Sequence, residues 1–165
     1  MLRLFASPMT AVDFILGYTL PLLPMAAAQM AVCYAAAMLL GLGFSLNILL
    51  AIAVSIPAAV LFIGLGLLCG SLLSDKQVGG ICGALLTNLS AWLSGTWFDP
   101  NLAGGAFKAI ADILPFSHAV NAARCALLGD YAGIMPELIW VIVYAIAVML
   151  AAVLVFTGRM RGDKA

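Results

Sequence analysis

The sequence predicts an all-α, polytopic membrane protein with about four transmembrane helices and two short re-entrant or interfacial helices before the last of them. Three observations predict it. The 165 residues are 65% hydrophobic and 8% charged, whereas soluble domains are roughly 45–50% apolar and about 25% charged. Four stretches stay apolar over the roughly 20 residues that a helix needs to cross about 30 Å of hydrocarbon. The connection before the last stretch carries helical patterns too short to cross. Residues 1–165 read as one membrane domain whose core is completed by lipid.

The first stretch covers about 18–42, with Pro21 and Pro24 expected in its opening turns, where a missing N–H costs least. A turn through Gly43, Phe44, Ser45, Leu46 and Asn47 follows. The second covers about 48–73 and contains Pro57, which removes one backbone donor from its interior. After the loop Ser74-Asp75-Lys76-Gln77, the third covers about 78–98 and is the most polar. The fourth, about 138–157, runs into a short basic tail containing Arg159, Arg161 and Lys164.

In the 99–136 connection, Ala106, Phe107, Ile110, Ile113 and Leu114 recur at helical spacing, with Lys108 and Asp112 on another face. Pro115 ends that pattern. Ser117 is placed to cap a second short helix, which Gly129 closes. Each piece is roughly 15 Å long, half a crossing, so these helices lie in the interface or dip in and return.

Four crossings put both termini on one side. Arg3, Lys76, Arg159, Arg161 and Lys164 share that side, and Lys108 and Arg124 lie opposite. Short loops rich in Lys and Arg stay cytoplasmic, so both termini are expected in the cytoplasm of a plasma (cell inner) membrane. A cleavable leader is the minor reading of the N-terminus, because Pro8, Asp13, Gly17 and Pro21 interrupt the apolar run.

Seven Lys plus Arg balance seven Asp plus Glu, so there is no basic field for nucleic acid. Cys33, Cys69, Cys82 and Cys125 form no C-x-x-C pair and read as small buried hydrophobes. No paired Cys/His spacing indicates a metal, no cofactor motif occurs, and no phosphate-binding loop of the G-x-x-x-x-G-K-[ST] type is present. The one histidine, His118, lies near Asp112, Asn121 and Arg124 in sequence but reads as a polar-face residue rather than a catalytic base. The chain is read as a transport component, not an enzyme.

Polar residues inside apolar spans carry the remaining signal. Gly83, Thr87, Ser90 and Ser94 form a stripe down one face of the third span, with Asn88 beside it. Two readings stand: close helix packing with hydrogen bonds across helices, or a candidate substrate path. Gly66-x-x-x-Gly70 and Gly79-x-x-x-Gly83 match the small-residue contact pattern, within the chain or between two copies. As bounded, the spans hold no ionisable side chain other than cysteine and tyrosine, which argues against coupling to a proton or sodium gradient. The cytoplasmic segment from Arg3 to Asp13, with Pro8 fixing its geometry, is suited to passing motion from a docked ATPase into the first span.

Leu2-Arg3-Leu4-Phe5-Ala6-Ser7-Pro8-Met9, then Phe98-Asp99-Pro100, Leu114-Pro115-Phe116, Arg124, Gly129 and the basic tail occur in an order that resembles the C-terminal portion of ABC-2 type transporter permeases. Members usually have six spans, so the resemblance implies that the first two are missing here. It further implies a permease subunit that dimerises, as a homodimer or heterodimer, and exports a substrate using ATP hydrolysed by a separate ATP-binding-cassette subunit. Arg3, Ser7, Pro8 and Asp13 are the implied coupling residues, and Asp99, Pro100, Pro115, Arg124 and Gly129 mark the implied re-entrant region. The alternative is a non-transporting membrane scaffold or assembly protein whose helices only bind other spans.

Overall fold

The computed structural model describes residues 10–97 and 100–162, and among these there is no strand. Helix α1, Ala11–Leu39, begins at a reciprocal cap. The Thr10 backbone N–H and hydroxyl donate to Asp13 Oδ2 at 2.9 and 2.7 Å, and the Asp13 N–H donates to Thr10 Oγ1 at 3.2 Å. Two orphan donors are satisfied at once. The helix therefore starts earlier than the apolar run suggests, and Pro21 and Pro24 fall in its interior. Their missing N–H groups leave the carbonyls of Gly17 and Leu20 without helical partners.

Helix α2, Asn47–Leu72, takes in the expected second stretch almost residue for residue, with Pro57 inside it. The third stretch is one continuous helical rod in three parts: α3, Asp75–Val78, a π-helical segment, Gly79–Leu86, and α4, Thr87–Leu93. Gly79, Gly80 and Gly83 leave little side-chain bulk to resist the wider turn. Beyond the turn at 94–97 come α5, Pro100–Ala103, α6, Gly105–Ile113, α7, Pro115–Leu128, and α8, Tyr131–Gly162.

Gly129 closes α7 in the left-handed conformation, φ 76° and ψ 17°. The Gly129 N–H bonds Ala126 O at 3.2 Å and the Asp130 N–H bonds Cys125 O at 2.9 Å, a Schellman ending. The Asp130 carboxylate then accepts the Gly133 N–H at 3.1 Å and opens α8. A single residue thus finishes one helix and starts the next.

Helices α2 and α8 form the central seam and run parallel. Asn47 Nδ2 donates to Leu127 O at 3.2 Å, beside the start of α8, and Arg159 Nη2 donates to Leu72 O at 3.0 Å at the far end. The 75–93 rod carries the chain back to the end where α2 and α8 begin, since Arg124 on α7 donates to Gly95 O at 3.1 Å. Phe14 stacks on Phe156 at 4.3 Å, which places the start of α1 with the end of α8.

Small residues make the close contacts. Ala51 of α2, Ala122 and Ala126 of α7, and Ile134 of α8 share a core with Val54, as expected where helices associate by van der Waals packing rather than by a hydrophobic drive. A Cβ on Gly64 of α2 would lie 3.0 Å from Met149 Sδ and 3.1 Å from Val148 Cγ1 of α8. Gly66, Gly70, Gly79 and Gly83, the residues of the two sequence motifs, face open space within the chain. Among the described residues, three helices, α1, α2 and α8, are long and apolar enough to cross a bilayer.

Candidate functional site

Helices α6 and α7 form a hairpin whose tip reaches the middle of the seam. Tyr144, thirteen residues into α8, donates its hydroxyl to Ile113 O at 2.9 Å. Phe116 at the start of α7 stacks on Phe62, midway along α2, at 5.8 Å. The end of α7 returns to the beginnings of α2 and α8. Helix α7 thus runs from mid-seam back to the end where α2 and α8 begin.

A helix leaves its last carbonyls without intrahelical partners. Side chains supply the donors. Ser117 Oγ donates to Ala111 O at 2.6 Å, His118 Nε2 bonds Asp112 O at 2.8 Å, and Tyr144 takes Ile113 O. Three consecutive orphan carbonyls of α6 are thereby satisfied from α7 and α8. Ser117 is not the cap expected from sequence: Leu114 occupies the N-cap, Pro115 the first turn, and the Ser117 hydroxyl points back to α6.

Between the 75–93 rod and this hairpin lies a groove of about 440 Å³. Thr87, Ser90 and Ser94 line it from the rod, Phe62 from α2, and Phe116 and Val120 from the hairpin. Ser90 and Ser94 are buried, and Thr87 is exposed. Their hydroxyls are held by their own segment: Thr87 by Cys82 O at 3.0 Å, Ser90 by Leu86 O at 2.6 Å, and Ser94 by Ala91 O at 3.0 Å and Thr96 Oγ1 at 2.7 Å. Among the described residues, no hydrogen bond runs from these three hydroxyls to another helix. Asn88 points elsewhere, exposed and bonded to Ala84 O at 2.7 Å.

The remaining sequence-derived positions separate clearly. Arg3, Ser7, Pro8 and Asp99 lie outside the described residues. Asp13 belongs to the α1 cap. Pro100 opens α5, Pro115 opens α7, Gly129 closes it, and Arg124 ties the hairpin to the turn after α4.

One feature escaped the sequence reading. Because α8 begins at Tyr131, Glu137 lies within it, and His118 Nδ1 is bonded to Glu137 Oε2. The His118 ring lies flat against Trp140, centroids 5.3 Å apart and planes 5° from parallel. Helices α7 and α8 therefore carry a paired ionisable group just outside the 138–157 stretch expected from sequence. Among the described residues, no group of acidic, histidine and cysteine side chains is placed to hold a metal.

Comparison with known proteins agrees with this architecture. No curated protein and no solved structure matches the chain. The family model described as ABC-2 family transporter protein matches residues 1–154. With nearly the full length matched, this multi-pass membrane chain belongs to the ABC-2 transporter family.

Proposed function

We propose that the chain is the permease subunit of an ATP-driven exporter, working as a dimer of permeases with two separate ATP-binding-cassette subunits in the plasma membrane. The observation that carries this reading is the groove between the 75–93 rod and the α6–α7 hairpin. It joins a hydroxyl-bearing face to two phenylalanines at the level where the hairpin tip meets the seam. Hydroxyls bound to their own helix leave lone pairs free to accept from a substrate. Thr87, Ser90 and Ser94 are the proposed substrate-facing residues, and Asn88 is left as a flank of the rod. Family membership supports the permease role; the ATPase partner, export and the dimer are parts of the proposal.

The proposed topology has four crossings, with the 75–93 rod, about 28 Å long, as the third. Both termini are cytoplasmic and the hairpin enters from outside. Arg3, Ser7 and Pro8, before the capped start of α1, are the proposed contact for the ATPase. Reporter fusions in the 40–46 connection and near Gly104 should read outside, and one after Lys76 inside. A cytoplasmic signal near Gly104 defeats this arrangement.

The groove reading is tested by reconstituting the permease with its cognate ATPase in vesicles and comparing two transported compounds. Ser90→Leu fills the groove and is expected to change their relative rates about tenfold or more, the scale of about 1–3 kcal/mol typical when a pocket gains or loses small groups. Equal loss for every substrate, with lowered folding yield, would return Ser90 to a packing role.

A further inference from the structure

We infer that the His118–Glu137 contact is a latch that fastens the tip of the α6–α7 hairpin to α8 and positions it for transport. This rests on the reading of the hairpin as one wall of the substrate path. The hydrogen-bond arithmetic comes first. Asp112 O is a carbonyl and can only accept, so the His118 Nε2 bonded to it at 2.8 Å must carry a hydrogen. That leaves Nδ1 to face Glu137 Oε2. The contact is attractive only with a proton between them, written either as imidazolium with carboxylate or as imidazole with carboxylic acid. Without that proton, a nitrogen lone pair would face a carboxylate.

The surroundings hold the ring in this orientation. Trp140 covers one face of the imidazole, and the His118 and Glu137 side chains are only 16% and 26% exposed. The other charged or titratable groups nearby are committed. On α6, Lys108 pairs with Asp112 at 3.4 Å. On α8, Tyr144 donates to Ile113 O, and on α7, Arg124 donates to Gly95 O. Cys125 of α7 also faces Glu137, and Asp130 sits beside it at the turn into α8. Helix α2 presents Phe62 at this level and has its cysteine, Cys69, near its opposite end, while α4 has no titratable residue.

The latch thus joins three elements through one side chain: α7 carries the ring, α6 receives Nε2–H, and α8 supplies the carboxylate.

Spin labels at Ile110→Cys on α6 and Ile146→Cys on α8, both exposed positions, report the distance directly in the full-length protein in lipid vesicles, apart from any transport. The wild-type background should show one short distance. Glu137→Gln keeps a donor for Nδ1 in its amide, so it should hold that distance. Glu137→Ala and His118→Ala should show a longer population. In the reconstituted complex, Glu137→Gln should transport within about twofold of wild type per ATP, and Glu137→Ala at least tenfold less. A short distance kept in Glu137→Ala, or Glu137→Gln behaving like Glu137→Ala, overturns the latch. If the distances behave as stated and Ser90→Leu leaves transport untouched, the latch stands and the groove reading falls.

Discussion

Gly64→Leu should abolish the α2–α8 seam, while Gly70→Leu, six residues along the same helix, should leave it intact. At Gly64 even a Cβ comes within 3.1 Å of Val148 Cγ1 and 3.0 Å of Met149 Sδ. Gly64→Ala is tolerable, because the Met149 thioether is flexible and can swing aside. Three further carbons have nowhere to go, since Val148 is β-branched and stiff at χ1. Overpacking of this kind costs typically 1–3 kcal/mol and more where the backbone must separate. We expect about 3 kcal/mol or more for Gly64→Leu and within about 0.5 kcal/mol for Gly70→Leu, which faces open space. The checks are the monodisperse fraction on gel filtration and the midpoint of denaturation in mixed micelles. Equal loss in both variants would mean that the small-residue motif, not the single close approach, governs the seam.

The contrast shows what a pattern of glycines conveys in a membrane sequence. Spacing identifies helix faces with small residues, and both motifs here do so. It does not say which face meets a neighbour, because that depends on where the partner helix lies along the rotation. Gly64 carries no motif and makes the contact. Gly66 and Gly70 carry one and do not. The same limit applied to the polar stripe. Thr87, Ser90 and Ser94 share the groove as their spacing suggests, and Asn88, adjacent in sequence, is turned away.

Element boundaries followed a similar logic. Helix α2 was legible almost to the residue, because an uninterrupted apolar run sits between a glycine turn and a polar loop. The start of α1 was not, since the Thr10 and Asp13 cap lies outside the apolar run that defined the span. The cap fixes the helix start and the lipid fixes the span, and nothing makes the two coincide. In α8 the difference mattered for chemistry, because starting at the apolar run excluded Glu137. The π-helical turn at Gly79–Leu86 has no sequence period of its own that composition reveals; three glycines permit it without requiring it. The hairpin was legible by length alone, since two short helices separated by Pro115 cannot cross.

Whether that hairpin lies within hydrocarbon or rests in the interface can be decided through the three capped carbonyls. Ser117→Ala frees Ala111 O, and Tyr144→Phe frees Ile113 O. Neither change adds volume, and neither touches the His118–Glu137 pair. In an interfacial setting water would replace both donors, and the loss would be small, about 1 kcal/mol in total or less, because a hydrogen bond exchanged for one to water is worth little net. In hydrocarbon the carbonyls stay unpaired, at about 1–3 kcal/mol each. The two sites are adjacent on one helix end, so the double variant need not equal the sum of the singles. We expect the double variant to lose about 2–6 kcal/mol and to leave the far-end contact of Arg159 with Leu72 O undisturbed. A double variant as stable as wild type would place the tip in water and make these helices interfacial. Loss on the predicted scale means that α6 ends where no solvent can serve it, and that α7 and α8 carry Ser117, His118 and Tyr144 at those positions because the dipping helix needs their donors.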